Sequence, residues 1–409
     1  MISTARYAPR KGLRSSPRAA AGDILARMTR WMSSLAVLTG LCVWLGAASP
    51  VPAQQAGRLV FVGTYTNDRS HGIFSFRFDD QAGTLTPLGL AIETPSPSFI
   101  VASADGRYLF AVNEVDRYNG EASGSVSSFA VNRDTGKLTW LSTQPSRGTN
   151  PCHLALDRTG RFLAVANYSS GTVAVLPVGE DGRLAPASQV IAHEGRGPNA
   201  SRQEGPHAHQ VVFSADNKFM IAVDLGIDRV LVYRFDERTG RLSPNAPSGV
   251  SMAPGAGPRH IAFHPDGTHA FVISELASTI TTMTWNAGTG TLTAGASVKT
   301  LPADFTGASS TAEVAVHPNG KFVYGSNRGH DSIAIFSTAA DGTLTPVGFE
   351  PSRGRTPRHF AIAPGGRWLV AANQDSGTLA VYRVDDATGR LTASGALVSS
   401  GTPVCVLFQ

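Results

Sequence analysis

One pattern recurs from about residue 97 to the end of the chain, and it limits the fold more than any other feature. A Pro or Thr opens a short apolar strand, a turn of the Asp-Gly-Arg kind follows, and a second apolar strand returns. The clearest copies are PCHLALDRTGRFLAVAN from Pro151, GPRHIAFHPDGTHAFVIS from Gly257 and TPRHFAIAPGGRWLVAAN from Thr356. Weaker copies start at Pro97, Pro206 and Thr311. A third strand follows each copy (Gly171 to Val178, Arg229 to Phe235, Ser332 to Ser337, Gly377 to Val384), and a Gly-x-Leu turn leads into a fourth. Four short strands every ~40–55 residues is the signature of a propeller blade.

Six full units are joined by a partial one. Leu59 to Tyr65, Gly72 to Phe78 and Gly83 to Thr86 supply a second, third and fourth strand without a first. The C-terminal run Pro403 to Phe408 has the pattern of the missing first strand. The expected fold is therefore all-β: a seven-bladed β-propeller of four-stranded blades, closed by the C-terminal strand pairing into the N-terminal blade. Closure removes the free sheet edges that would otherwise template aggregation. The propeller is expected over 58–409, as a monomer.

The net charge of +5 comes largely from Arg6, Arg10, Lys11, Arg14, Arg18, Arg27 and Arg30, opposed there only by Asp23. The repeat region is near neutral and has no basic stripe with interleaved aromatics, which argues against nucleic acid as a partner. Residues 28–53 have the form of a signal peptide. Arg30 is the positive start, Leu35 to Leu45 the apolar run, and Val51-Pro52-Ala53 a small-residue cleavage site before Gln54. The apolar run is short for a membrane span. A periplasmic or secreted mature chain, free of the membrane after cleavage, is expected. Residues 1–27 are a polar extension that is not translated if Met28 is the start. Cys152 and Cys405 fall in the innermost strands of blades that are not neighbours, so they read as small buried hydrophobes.

The repeat provides an internal alignment. At the start of the innermost strands stand Ser98, Cys152, His209, Arg259, Ala312 and Arg358, followed by Phe99, His153, Gln210, His260, Glu313 and His359. At the end of the second strands stand Asn113, Asn167, Asp224, Ser274, Asn327 and Asn373, followed by Glu114, Tyr168, Leu225, Glu275, Arg328 and Gln374. The two strands are antiparallel neighbours, so all four sets meet at one mouth of the central channel. The recurrent Asn suits a structural turn closure, and His264 and His317 belong to turns on the opposite rim. The charges are different. Arg259, Arg328 and Arg358 meet Glu114, Glu275 and Glu313 at the mouth, with His153, His209, His260 and His359 close by. A sealing salt-bridge network would account for some of these. Clustered Arg beside carboxylate and His suits an acidic substrate or a developing oxyanion.

Two segments have no repeat equivalent: His193 to His209, which includes Arg202-Gln203-Glu204, and Asp304-Phe305-Thr306-Gly307. Either is a candidate lid. His207 and His209, two apart, would share a strand face and form half a zinc site. No further ligands suggest themselves, so neither metal nor cofactor is expected. A nucleophile elbow and a phosphate loop are both missing from the sequence.

These motifs carry a resemblance. Val62-Gly63-Thr64-Tyr65-Thr66, Pro151-Cys152-His153, Arg202 to His209, Gly257 to His260, Ser274-Glu275-Leu276, Asp304 to Gly307, Ser326 to His330 and Pro403 to Val406 together resemble the seven-bladed lactonase propellers. That family includes bacterial 6-phosphogluconolactonases and fungal carboxy-muconate cycloisomerases. The resemblance implies hydrolysis of a sugar lactone, free or phosphorylated, to the aldonic acid. It places the family's catalytic His, two Arg and Glu on His209 (or His207), Arg259, Arg328 and Glu275. His153, His207, Glu204, Arg358 and Glu114 are the accompanying substrate-binding candidates. Either Glu275 or His209 would activate water. A cycloisomerase using the same carboxylate, and a non-catalytic binding propeller, are the alternatives.

Overall fold

The computed structural model describes residues 57–409; the expected extension and signal segment lie outside the described residues. The chain forms seven four-stranded antiparallel sheets, and no helix occurs among the described residues. Six sheets run in chain order from the innermost strand outwards. The remaining one has the order Pro403–Phe408, Arg58–Thr64, Gly72–Asp79, Thr84–Glu93. Val60 pairs with Phe408, Val62 with Val406 and Gly63 with Cys405, so the expected closure is present. Gly63 is required there, since a Cβ would lie 2.2 Å from the Pro97 carbonyl oxygen. Innermost strands pack on those of both neighbouring blades, completing the ring.

Burial explains the apolar runs. Second strands such as Phe162–Asn167, Phe219–Asp224 and Trp368–Asn373 are buried at every residue. Both of their faces are covered by neighbouring blades, so continuous apolar runs are demanded there. Outermost strands such as Leu391–Ser399 are largely exposed and tolerate polar residues. The recurrent Asn is structural, as expected. The side-chain amides of Asn113, Asn167, Asn327 and Asn373 donate to the carbonyls of Pro95, Ser146, Thr300 and Ser352 at 2.7, 3.0, 2.6 and 2.8 Å. Each ties its blade to the incoming connection. On the opposite rim, the Nε2 atoms of His264 and His317 bond the Gly320 and Gly366 carbonyls of the next blade at 2.7 and 2.9 Å.

One local feature sets up the channel mouth. In six blades the ladder between the first two strands slips by one residue, and in four of these the slip falls at Pro151/His153, Ala208/Gln210, Pro258/His260 and Pro357/His359. The extra residues of these four are Cys152, His209, Arg259 and Arg358. A β-bulge leaves its additional residue without a ladder partner and re-aims the side chain.

Candidate active site

Pro258 pairs with Ser274, so the bulged Arg259 and the following Glu275 lie side by side. Arg259 Nε donates to Glu275 Oε2 at 3.1 Å, and its Nη1 donates to the Ala312 carbonyl at 2.7 Å. Arg328, ending the strand Phe322–Arg328 of the next blade, pairs through Nη2 with the same Oε2 at 2.9 Å while that Nη2 donates to the Thr311 carbonyl at 2.7 Å. A third guanidinium comes from the insertion: Arg202 Nη2 donates to Glu275 Oε1 at 2.6 Å and lies 3.3 Å from the Tyr168 hydroxyl. Glu275 is only 4% exposed. Burial would raise its pKa, but the charges of Arg328 and Arg259 and the Arg202 hydrogen bond outweigh burial and hold it at about 2. It is ionised, as expected. With its lone pairs taken by three cations, it is a weak base.

The insertion reaches this position because two aspartates clamp it. Asp224 replaces the recurrent Asn. Its Oδ2 accepts from His193 Nδ1 at 2.6 Å, and its Oδ1 accepts from the backbone N–H groups of His207 and Gly226 at 2.8 and 2.9 Å. Asp228 accepts from Gln203 Nε2 at 2.8 Å and from the N–H groups of Gly255 and Gly257 at 2.7 and 2.8 Å. Gln203 is the neighbour of Arg202, so the clamp sets where that guanidinium points.

A second acid–base group faces the first across the mouth. The Tyr65 hydroxyl lies 3.0 Å from both carboxylate oxygens of Glu114. The Arg358 guanidinium carbon sits 5.3 Å from the centre of the Tyr65 ring. Among the described residues, Arg358 has no carboxylate within 4.0 Å and no hydrogen-bond acceptor. Tyr65, Glu114, Arg358, Glu275, Arg328 and Arg202 line one cavity of about 330 Å³, with Tyr168, His209, Cys152 and Ser310 completing it. Arg259 stands directly behind Glu275. Four guanidiniums thus oppose two carboxylates.

The sequence and the fold have known counterparts. Residues 59–408 match the family model described as lactonase, seven-bladed β-propeller. The chain belongs to the seven-bladed β-propeller lactonase family. It is 38% identical over 349 residues to a 6-phosphogluconolactonase of Bacillus subtilis, covering 85% of this chain and 97% of that protein. It is 31% identical over 337 residues to a 6-phosphogluconolactonase of Formosa agariphila, covering 81% and 94%. Its fold matches the structure of a periplasmic gluconolactonase of Pseudomonas aeruginosa with a TM-score of 0.80 and 35% identity, covering 86% of this chain and 98% of that one.

Other candidates in this lactonase propeller sit below or beside the cavity. The channel floor is a stack of rings. His153 lies 3.9 Å from Phe99 and 5.3 Å from His260, which lies 5.2 Å from His209, with His359 5.6 Å from Phe99. Glu313 accepts from His260 Nδ1 at 2.8 Å and lies 3.6 Å from His359 Nε2. Burial lowers the pKa of His153, His209 and His260 well below the usual imidazole value, and that of His359 to about 4. His209 therefore does not exchange its proton near neutral pH, contrary to the expectation for an unperturbed imidazole. Burial and the nearby Arg259 keep it neutral.

His207 and His209 do not share a face. His207 precedes the strand Ala208–Phe213, and the bulge turns His209 into the channel. His207 stacks on Tyr168 at 4.6 Å and lies 3.2 Å from the exposed Glu204. The half zinc site is thus not formed, and no group of three metal-ligating residues occurs among the described residues. His153, His207 and Glu204 support the cavity from outside its lining. Of the second inserted segment, Phe305 packs edge-on against His330 at 4.7 Å, beside the strand end that carries Arg328.

Arg202 and Tyr65 are the residues that sequence reasoning did not select. Tyr65 had a usable signal: it follows Thr64 just as Glu114 follows Asn113, so extending the repeat alignment to the N-terminal blade reaches it. Arg202 lay in the insertion singled out as a candidate lid, but the repeat alignment could not place its side chain at the mouth.

Proposed function

We propose that the protein hydrolyses a sugar lactone to the aldonic acid in this cavity, with the free lactone or its phosphate ester as substrate. The observation that carries this reading is Arg358. Among the described residues it makes no direct salt bridge or hydrogen bond, the Glu114 and Glu275 carboxylates attract it only from farther off, and its guanidinium faces a cavity of small-ligand size. A substrate oxygen that is anionic, or becomes so in the transition state, supplies the missing partner. Arg328 and Arg202 contribute positive potential from the other wall, and the hydroxyls of Tyr168 and Ser310 suit a polyol. Water attack on a lactone carbonyl builds charge on its oxygen, which fixed guanidiniums stabilise.

Export to the periplasm accompanies this reading. The apolar run Leu35 to Leu45 and the Val51-Pro52-Ala53 site support it, as does the similarity to a periplasmic gluconolactonase.

Proton release in a pH-stat tests the activity, with purified protein starting at Gln54. The substrates are glucono-1,5-lactone, its 6-phosphate and galactono-1,4-lactone. Turnover well above spontaneous opening is expected for at least one. Spontaneous rates for all three would refute the assignment.

A further inference from the structure

The cavity holds two carboxylates, and their surroundings differ in a way that divides the work between them. Glu275 accepts hydrogen bonds from Arg202 and Arg259 at 2.6 and 3.1 Å, pairs with Arg328 at 2.9 Å and is almost fully buried. Both of its oxygens are committed, and taking up a proton would break that network. Among the described residues, the Glu114 carboxylate has a single hydrogen-bond partner, the Tyr65 hydroxyl, 3.0 Å from each oxygen. A phenol carries one proton and donates to one oxygen at a time. The other oxygen of Glu114 therefore keeps its lone pairs available to the cavity.

We propose that Glu114 is the general base of the lactonase reaction, with Tyr65 as its positioning residue and Arg358 as the cation that receives the oxyanion. The assignment rests on the lactone-hydrolase reading above. Tyr65 links the two groups, since its hydroxyl bonds Glu114 while its ring lies under the Arg358 guanidinium. Tyr65 does not serve as the base itself. Burial raises the pKa of its hydroxyl and Glu114 raises it further, so the phenol stays protonated and remains a donor. His209 is a poorer choice, because its Nδ1 faces the Cys152 thiol at 3.8 Å and burial beside Arg259 opposes its protonation.

The step balances as follows. Glu114 takes a proton from water as the water oxygen bonds to the lactone carbonyl carbon. The carbonyl π pair moves onto its oxygen, which faces Arg358. Collapse of the tetrahedral intermediate breaks the bond from that carbon to the ring oxygen. The ring oxygen takes the proton back from Glu114, and the new carboxylic acid releases its own proton to solvent.

The test measures kcat and KM on glucono-1,5-lactone and its 6-phosphate for the native protein, Glu114→Gln, Glu114→Ala and Tyr65→Phe, with melting temperatures. Losing a general base costs ~10²–10⁴ in rate. Glu114→Gln should lose kcat in that range with KM little changed. Sodium formate should restore part of the kcat of Glu114→Ala, which a merely structural loss would not allow. Tyr65→Phe, which keeps the ring under Arg358, should lose several-fold in kcat at unchanged KM. Near-native kcat in Glu114→Gln, or failure of formate to rescue Glu114→Ala, overturns the assignment while leaving lactone hydrolysis intact. Where the native protein turns over only galactono-1,4-lactone, the same variants are read on that substrate, and a native protein inactive on all three removes the reaction itself, a separate result.

Discussion

Three guanidiniums converge on Glu275, and removing its charge would leave all three facing one another. Breaking one side of a buried charge network costs ~3–5 kcal/mol. Glu275→Gln is therefore expected to lower the melting temperature and to reduce turnover together, as calorimetry and the pH-stat would record. His264→Ala, on the opposite rim, should leave turnover near native. The residues of this site were legible to different degrees. Arg259, Glu275 and Arg328 stood out because the repeat exposes a charge at a position where other blades carry Ser, Cys or Ala in the first case and Tyr, Leu or Gln in the others. The chemistry assigned to His209 was not legible, because burial among other rings sets its protonation and the sequence does not show that burial.

At the scale of elements, the bulges and the clamped insertion build the mouth. The alternation of apolar strands and Gly-containing turns predicted every blade and the closing strand. It did not show the extra residue in six ladders, since a bulge depends on pairing rather than composition. Arg202 stayed hidden for a related reason: its position depends on Asp224 and Asp228 holding a segment of irregular backbone. Asp224→Asn offers an NH₂ group where two backbone donors and His193 now need acceptors. Unsatisfied buried groups cost ~1–3 kcal/mol, so the insertion should loosen. Limited proteolysis is expected to cut between His193 and Gly205 faster in the variant, with turnover reduced. Unchanged cleavage would show that the clamp does not hold the loop.

At the scale of the whole molecule, closure and the ring-lined channel govern stability. Removing residues 402–409 would open one blade and expose the edge of Arg58–Thr64, so the cooperative melting transition should be lost. Acid should act through the channel. His153, His209, His260 and His359 have depressed pKa values in the folded state, so the unfolded chain binds protons that the folded one does not. Their contribution is complete above the unfolded value of ~6.5 and is lost as pH falls towards the folded values. Glu275, depressed to about 2, adds a loss that begins as pH falls through the usual carboxylate value of ~4.3 and is complete below about 2. Glu313, raised by burial, opposes these as a single group. The melting temperature should therefore fall steadily from about pH 6.5 downward. A flat profile between pH 7 and 5 would contradict the buried neutral imidazoles.

Arg358 gives the most direct check on the central claim, because a structural and a functional role for it predict opposite signs. Arg358 makes no direct salt bridge or hydrogen bond among the described residues, so an apolar side chain of similar length removes no scaffold contact of that kind, whereas losing an oxyanion donor costs ~10²–10³ in turnover. The measurement is lactone turnover of Arg358→Met beside its melting temperature. The expected result is a loss of at least ~10²-fold with the melting temperature unchanged or raised. Near-native turnover with a lowered melting temperature would make Arg358 part of the scaffold and contradict the site.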